Sequence, residues 1–299
     1  PRRRARPPVR RRDHQSHSAG ETLSRMPPDR VVDCHAHVID TSRFPLSDGP
    51  GYKPRPRENG PKETYCGVLD GHAVRHALLV QPSGYGTDNS AMLDAIASYP
   101  KRFKGIAVLD PATPERALEH LAGRGVVGVR FNLPTYERDG LTRPEAPRFL
   151  ARLKALGWYA QVFADDAQWP EIAPILRRSG VKVLIDHFGV RDLAGGINQP
   201  GFRAVLQLGR DGNATVKLSA PFRISRETGY ADLKPFAHAV IDAFGIQNCV
   251  WGSDWPFINM ETPMTYSAAL KAVEAWLDVP ADLDRVLWHN AVRLFGFGG

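Results

Sequence analysis

Cysteine is scarce in this sequence. Cys34, Cys66 and Cys249 are too few and too scattered for a disulfide framework. With no C-x-x-C pair, a reduced, cytoplasmic compartment is expected. Apolar runs are short. None reaches the roughly 18 residues of a membrane span, so no membrane partner is expected. No G-x-G-x-x-G follows an early strand, which disfavours a dinucleotide site. No G-x-S-x-G occurs, which disfavours a nucleophile-elbow hydrolase. Net charge is nearly missing too, except in one place. The formal balance is +7, but residues 1–25 hold eight Arg against Asp13 and Glu21, leaving the rest of the chain at +1. A nucleic-acid partner is therefore not expected for the body of the protein, and no RNA-binding motif is present.

The basic segment is rich in Arg and Pro and almost free of large apolar residues. It reads as a disordered tail over residues 1–28, either an extension without function or a start assigned upstream of Met26. It lacks the apolar stretch of a secretory signal. The remaining residues 29–299 belong to a chain of 42% apolar composition, enough for one large domain.

From residue 31 the pattern turns regular. Eight short runs, VVDCH, RHALLVQ, FKGIAVLD, GVVGVRFN, WYAQVFAD, VKVLIDHFG, ATVKLSA and NCVWGSDW, alternate with segments of helical composition. Most are continuously apolar, as parallel strands buried on both faces require. The segments between them carry helix signals, such as the Thr-Pro entry and Gly123 exit of TPERALEHLAG. Eight such units predict a single (β/α)8 barrel, with an open doubly wound sheet as the alternative. The long Pro/Gly stretch over 40–70 breaks the rhythm, and loops of that length are often functional.

In such a barrel the chemistry lies at the C-terminal ends of the strands. Those ends carry His35 and His37, Gln81 and Ser83, Arg130 and Asn132, Phe163 and Asp165, Asp186 and His187, Lys217 and Ser219 with Arg223 after them, and Asp254. A lone histidine at a strand end is usually structural. An H-x-H pair joined by His187 and Asp254 is hard to explain by packing. In a strand, i and i+2 share a side, so His35 and His37 should project together. Asp254 as a turn cap, Arg130 as a barrel ion-pair member and Arg223 as an exposed loop residue are the plainer readings of those three; Ser83 and Tyr52 are weaker candidates. Trp251, Trp255 and Trp288 read as packing, and Cys34 and Cys249 as small buried apolar residues.

DCHAH after strand 1, DHFG at strand 6 and WGSDWPF at strand 8 resemble the amidohydrolase superfamily, in its amidohydrolase-2 branch. LLVQPSGYGTDN, GVRFN, VKLSAPFR and the GYKP loop are similar to lactonases of that branch that open 2-pyrone-4,6-dicarboxylate and related rings. The resemblance spans about residues 31–298. It implies a (β/α)8 hydrolase acting on a small lactone or carboxylate, with homo-oligomerisation left open. It implies Asp254 as general base on water, His187 with His35 or His37 as carbonyl polarisers, and Arg130, Arg223, Ser83 and Tyr52 as substrate contacts. Metal-dependent members typically add a strand 4 lysine, or histidines on both strands 5 and 6. Here those strands end in Arg130-Phe131-Asn132 and Phe163-Ala164-Asp165. A binuclear centre is thus not expected. No cofactor is expected to be required, the alternative being one zinc on His35, His37, His187 and Asp254. The alternative activity is a metal-dependent decarboxylase of an aromatic or muconate-type acid.

Overall fold

The computed structural model describes residues 30–49, 52–134, 138–277 and 279–298; the basic segment read above as a tail lies outside them. Eight strands, β1 (Val31–Ala36), β2 (Val74–Val80), β3 (Phe103–Ala107), β4 (Val126–Asn132), β5 (Tyr159–Phe163), β6 (Lys182–Ile185), β7 (Ala214–Ser219) and β8 (Cys249–Gly252), pair in chain order, all parallel. A helix returns the chain from each strand to the next, beginning with α1 (Lys62–Gly71) after β1. This is the expected (β/α)8 barrel.

The ring closes just past the end of β8. His37 N donates to Trp255 O at 2.8 Å, and Asp254 N donates to His35 O at 2.7 Å. This seam needs Gly252, because a Cβ there would lie 2.6 Å from the Cβ of His35 and 2.8 Å from its backbone nitrogen. The two motifs that carry chemistry are thus hydrogen-bonded to each other through their own backbones.

One irregularity sets the site. Across β1 and β2, Asp33 pairs with Ala77 but Ala36 pairs with Leu79, so three steps on β1 match two on β2. This extra residue is a β-bulge, a device that re-aims a side chain. Val32 and Cys34 face the barrel interior, and Ala36 joins the layer between strands and helices. Asp33 also faces outward, to Tyr65 of α1 and to Tyr266. His35 nevertheless turns inward, where strict alternation from Asp33 would have pointed it out. The shared side of His35 and His37 therefore holds, but only downstream of the bulge.

The interior is layered along the barrel axis. At the N-terminal end Val32, Cys34, Leu78, Val80, Ile106, Leu184 and Val250 pack together, closed below by Trp288, Phe295 and Phe297. Above them lie fully buried polar side chains: Gln161, Lys217, Asp186 and His35. Above these the barrel opens. Trp251, Trp255 and Trp288 are buried packing residues, and all three cysteines are free and buried. Among the described residues no helix is long and apolar enough to cross a membrane.

Candidate active site

A cavity of about 860 Å³ occupies the C-terminal mouth of the barrel, lined by His37, Tyr52, Ser83, Arg130, His187, Arg223 and Asp254 among others. Seven of the eight residues singled out in the sequence thus share one cavity. His35 does not line it, but lies fully buried beneath, its ring 5.1 Å from that of His37 and 4.7 Å from that of His187.

Asp254 is the hub. Its Oδ1 is 3.6 Å from His35 Nε2, 3.6 Å from His37 Nε2 and 3.9 Å from His187 Nε2. Its Oδ2 accepts from Arg223 Nε. Burial alone would raise this carboxyl, but Arg223 above all, with His187 and His35 beside it, holds it well below the usual carboxylate range. Asp254 and His187 both have positive φ, 63° and 50°. Such backbone persists only where the surroundings over-determine it. For Asp254 the seam hydrogen bond to His35 O does so.

Each histidine is oriented from behind. His37 Nδ1 lies 2.7 Å from Val80 O, an oxygen that can only accept. Neutral His37 therefore carries its proton on Nδ1 and turns the Nε2 lone pair toward Asp254. His187 Nδ1 contacts Ser219 Oγ at 2.9 Å, and Phe163 packs edge-on against its ring. His35 Nδ1 meets Lys217 Nζ at 3.0 Å, while its Nε2 has no hydrogen-bond partner.

His187 is held to about 4, chiefly by burial, with Asp254 and Asp186 opposing and Arg223 and Lys217 adding to the depression. In the folded protein it is neutral above about pH 4, whereas the unfolded chain takes up the proton near 6.5. The unfolded state binds more protons between those values, so stability is full above pH 6.5 and falls as pH drops toward 4. The loss from this group is roughly 3 kcal/mol. Urea unfolding at pH 7 and pH 4.5 measures it, and His187→Asn should flatten the slope; an unchanged slope in that variant would refute the assignment.

The arginines divide their work. Arg130 is buried, donates from Nη1 to Gln81 O at 3.1 Å, and leaves Nε without a partner, 3.9 Å from Asp186 Oδ2. Arg223, expected as a substrate grip alone, is already engaged with Asp254 and with Ile258 O. Arg191 lines the mouth, lies over Phe163 at 5.1 Å and pairs with Asp165. Arg138 is exposed and does not line the cavity. Tyr52 reaches the cavity from the long loop after β1, its hydroxyl buried without a partner. That loop is tied down by Glu58, which accepts from Asn259 N at 2.9 Å, and by Gly60, which bridges to Ile39.

Gln161 had no role in the sequence reading, and Lys217 and Asp186 had only a position. The available signal was a charged or amide residue inside an apolar strand, as in YAQVF and ATVKLS.

Among the described residues, two buried groups could hold a metal ion: His35, His37 and Asp254, and His35, Asp186 and His187. Imidazole and carboxylate are suitable ligand types. The 3.6–3.9 Å spacings around Asp254 Oδ1 are near the roughly 3.4 Å edge of a tetrahedral zinc site. By type and spacing the residues fit one ion.

A (β/α)8 barrel with a carboxylate, three histidines and arginines at its C-terminal mouth has the architecture of the barrel hydrolases. The amidohydrolase family model, of the amidohydrolase-2 branch, matches residues 32–297, and the chain belongs to that family. It is 28% identical to the 2-pyrone-4,6-dicarboxylate hydrolase of Comamonas testosteroni over 280 residues, covering 90% of each chain. It is 30% identical to the 4-sulfomuconolactone hydrolase of Hydrogenophaga intermedia over 277 residues, covering 91% of this chain and 90% of the relative. A solved structure from Acinetobacter baumannii, assigned as a 2-pyrone-4,6-dicarboxylic acid hydrolase and holding citric acid, superposes with TM-score 0.81 at 32% identity. That match covers 90% of this chain and 100% of the other.

Proposed function

We propose that this protein hydrolyses a carboxylated lactone, 2-pyrone-4,6-dicarboxylate being the first candidate, with Asp254 as general base. The observation that carries the reading is the setting of Asp254 at the floor of a cavity that also holds Arg130. Three imidazole nitrogens face one carboxylate oxygen and an arginine holds the other.

A carboxylate held this low is a weak base in the resting site. Arg223 moves from Asp254 onto an anionic group of the substrate, and Asp254 regains basicity as the lactone arrives. The His37 Nε2 lone pair and Asp254 orient the attacking water. Ser219 donates to His187 Nδ1, leaving His187 Nε2–H to polarise the lactone carbonyl and stabilise the oxyanion. Ring opening then takes the proton from Asp254 to the leaving oxygen. Arg130, with Tyr52 and Ser83, holds the substrate carboxylate. If a zinc ion were bound, His35, His37, His187 and Asp254 would be the residues to hold it, and it would supply carbonyl polarisation and a more acidic water.

The test is the loss of pyrone absorbance on mixing 2-pyrone-4,6-dicarboxylate with the protein, in parallel with Arg130→Lys. Lysine keeps the charge but lacks the planar fork. We expect kcat/KM to fall by about 10- to 100-fold, mostly through KM. Turnover by the wild type with an unchanged KM in Arg130→Lys would place the carboxylate elsewhere. No turnover with this or a sulfonated muconolactone would overturn the lactonase reading.

A further inference from the structure

Directly under the cavity floor, Lys217 of β7 is fully buried among side chains from β1, β5 and the residue just after β6. Its Nζ lies 2.8 Å from Gln161 Oε1, 3.0 Å from His35 Nδ1 and 3.1 Å from Asp186 Oδ1. We propose that Lys217 is a positioning residue that fixes His35 as the Nε2–H tautomer, so that His35 presents an N–H to Asp254 and no lone pair to a metal ion.

A neutral imidazole carries one N–H, and an ammonium can only donate. If Lys217 donates to Nδ1, the imidazole proton sits on Nε2. Nε2 faces Asp254 Oδ1 at 3.6 Å, a separation that a small approach closes to a hydrogen bond when substrate is seated. The competing arrangement has Nδ1–H donated to Asp186 Oδ1, 3.2 Å away. That carboxylate–histidine pair is the usual support of a metal ligand. Alignment favours the lysine, because Asp186 Oδ1 makes no aligned hydrogen bond whereas Lys217 does. Gln161 reinforces the choice: its Nε2 donates to Asp186 Oδ2 at 3.1 Å, which turns its Oε1 toward the ammonium. With Asp186 beside it, the lysine keeps its charge compensated in a site without solvent.

The two histidines of the H-x-H pair thus face the same carboxylate in opposite tautomers. Val80 O makes His37 a lone-pair donor, and Lys217 makes His35 a proton donor. The metal-type donor set around Asp254 is complete in geometry, and Lys217 withdraws one member from it. Removing the ammonium should return Nδ1–H to Asp186 and restore that member.

The experiment titrates chelator-treated wild type and Lys217→Met with zinc chloride by calorimetry. Lys217→Met should bind zinc about 10- to 100-fold more tightly than wild type, and His35→Ala added to it should abolish the gain. A second measurement needs no variant at the lysine: long-range ¹H–¹⁵N spectra of wild type with ¹⁵N-labelled histidine. His35, identified by the signal lost in His35→Gln, should be protonated at Nε2 and His37 at Nδ1. Protonation of His35 at Nδ1, or zinc binding by wild type as tight as by Lys217→Met, would overturn the proposal. The use of the N–H toward a catalytic base rests on the lactonase reading. The tautomer and zinc readouts involve no turnover, so the two can fail separately.

Discussion

Asp254→Asn should lower kcat for lactone hydrolysis on the order of 10³-fold or more while leaving KM within a few-fold. The amide keeps the size of the side chain and one oxygen for Arg223, so the barrel seam, which runs through the backbone of Asp254 and not its carboxylate, stays intact. What is lost is the carboxylate oxygen faced by all three histidine Nε2 atoms. The wild-type kcat/KM should show no inflection from this group between about pH 5 and 8, because in the free enzyme its proton is already gone throughout that range. Steady-state rates and thermal unfolding of the same preparation check both statements. A folded Asp254→Asn protein within tenfold of the wild-type kcat would mean that the base lies elsewhere.

The second large effect concerns a residue that never touches the cavity. Asp33 points out of the barrel, between inward-facing Val32 and Cys34, and is fully buried. Its carboxylate accepts from Tyr65 Oη at 2.8 Å, Tyr266 Oη at 2.8 Å, Ser253 N at 2.8 Å, His35 N at 3.1 Å and Ser253 Oγ. These donors come from β1, α1, the turn after β8 and the helix beyond it, so one side chain clamps the seam that places His35 beside Asp254. Asp33→Ala leaves two phenols and a hydroxyl buried without their acceptor. We expect a loss of roughly 3–5 kcal/mol, which for a domain of this size lowers Tm by about 10 °C. Activity should fall as well, because the seam loosens. Guanidinium melts of the purified variant would refute the clamp if the midpoint moved by the equivalent of less than about 1 kcal/mol.

Much was readable in the chain because it is written in local order. Apolar runs at a spacing that only strand–helix units satisfy predict the barrel. In a barrel, the end of each run is the mouth, so Ser83, Arg130, His187, Arg223 and Asp254 could be brought together before any contact was known. The H-x-H pair was legible for the same reason: two residues apart is one side of a strand.

What could not be read depends on which atoms meet across the barrel. No local rule predicts that β1 takes three steps to two of β2 between Asp33 and Ala36, yet that bulge turns His35 inward. Nor does a motif reveal that Arg223 rests on Asp254, since the two are 31 residues apart and meet only when β8 pairs with β7. Lys217 is the sharpest case. In sequence it is one charge within an apolar strand; in the fold it stands behind His35, with Gln161 and Asp186 completing its shell. The sequence by itself determined the barrel, its mouth and the kinds of groups gathered there, because strand periodicity and chain order carry that information. Only the tertiary structure decided which nitrogen of each histidine holds a proton and what each arginine faces, because those depend on distances of a few ångströms between strands far apart in the chain.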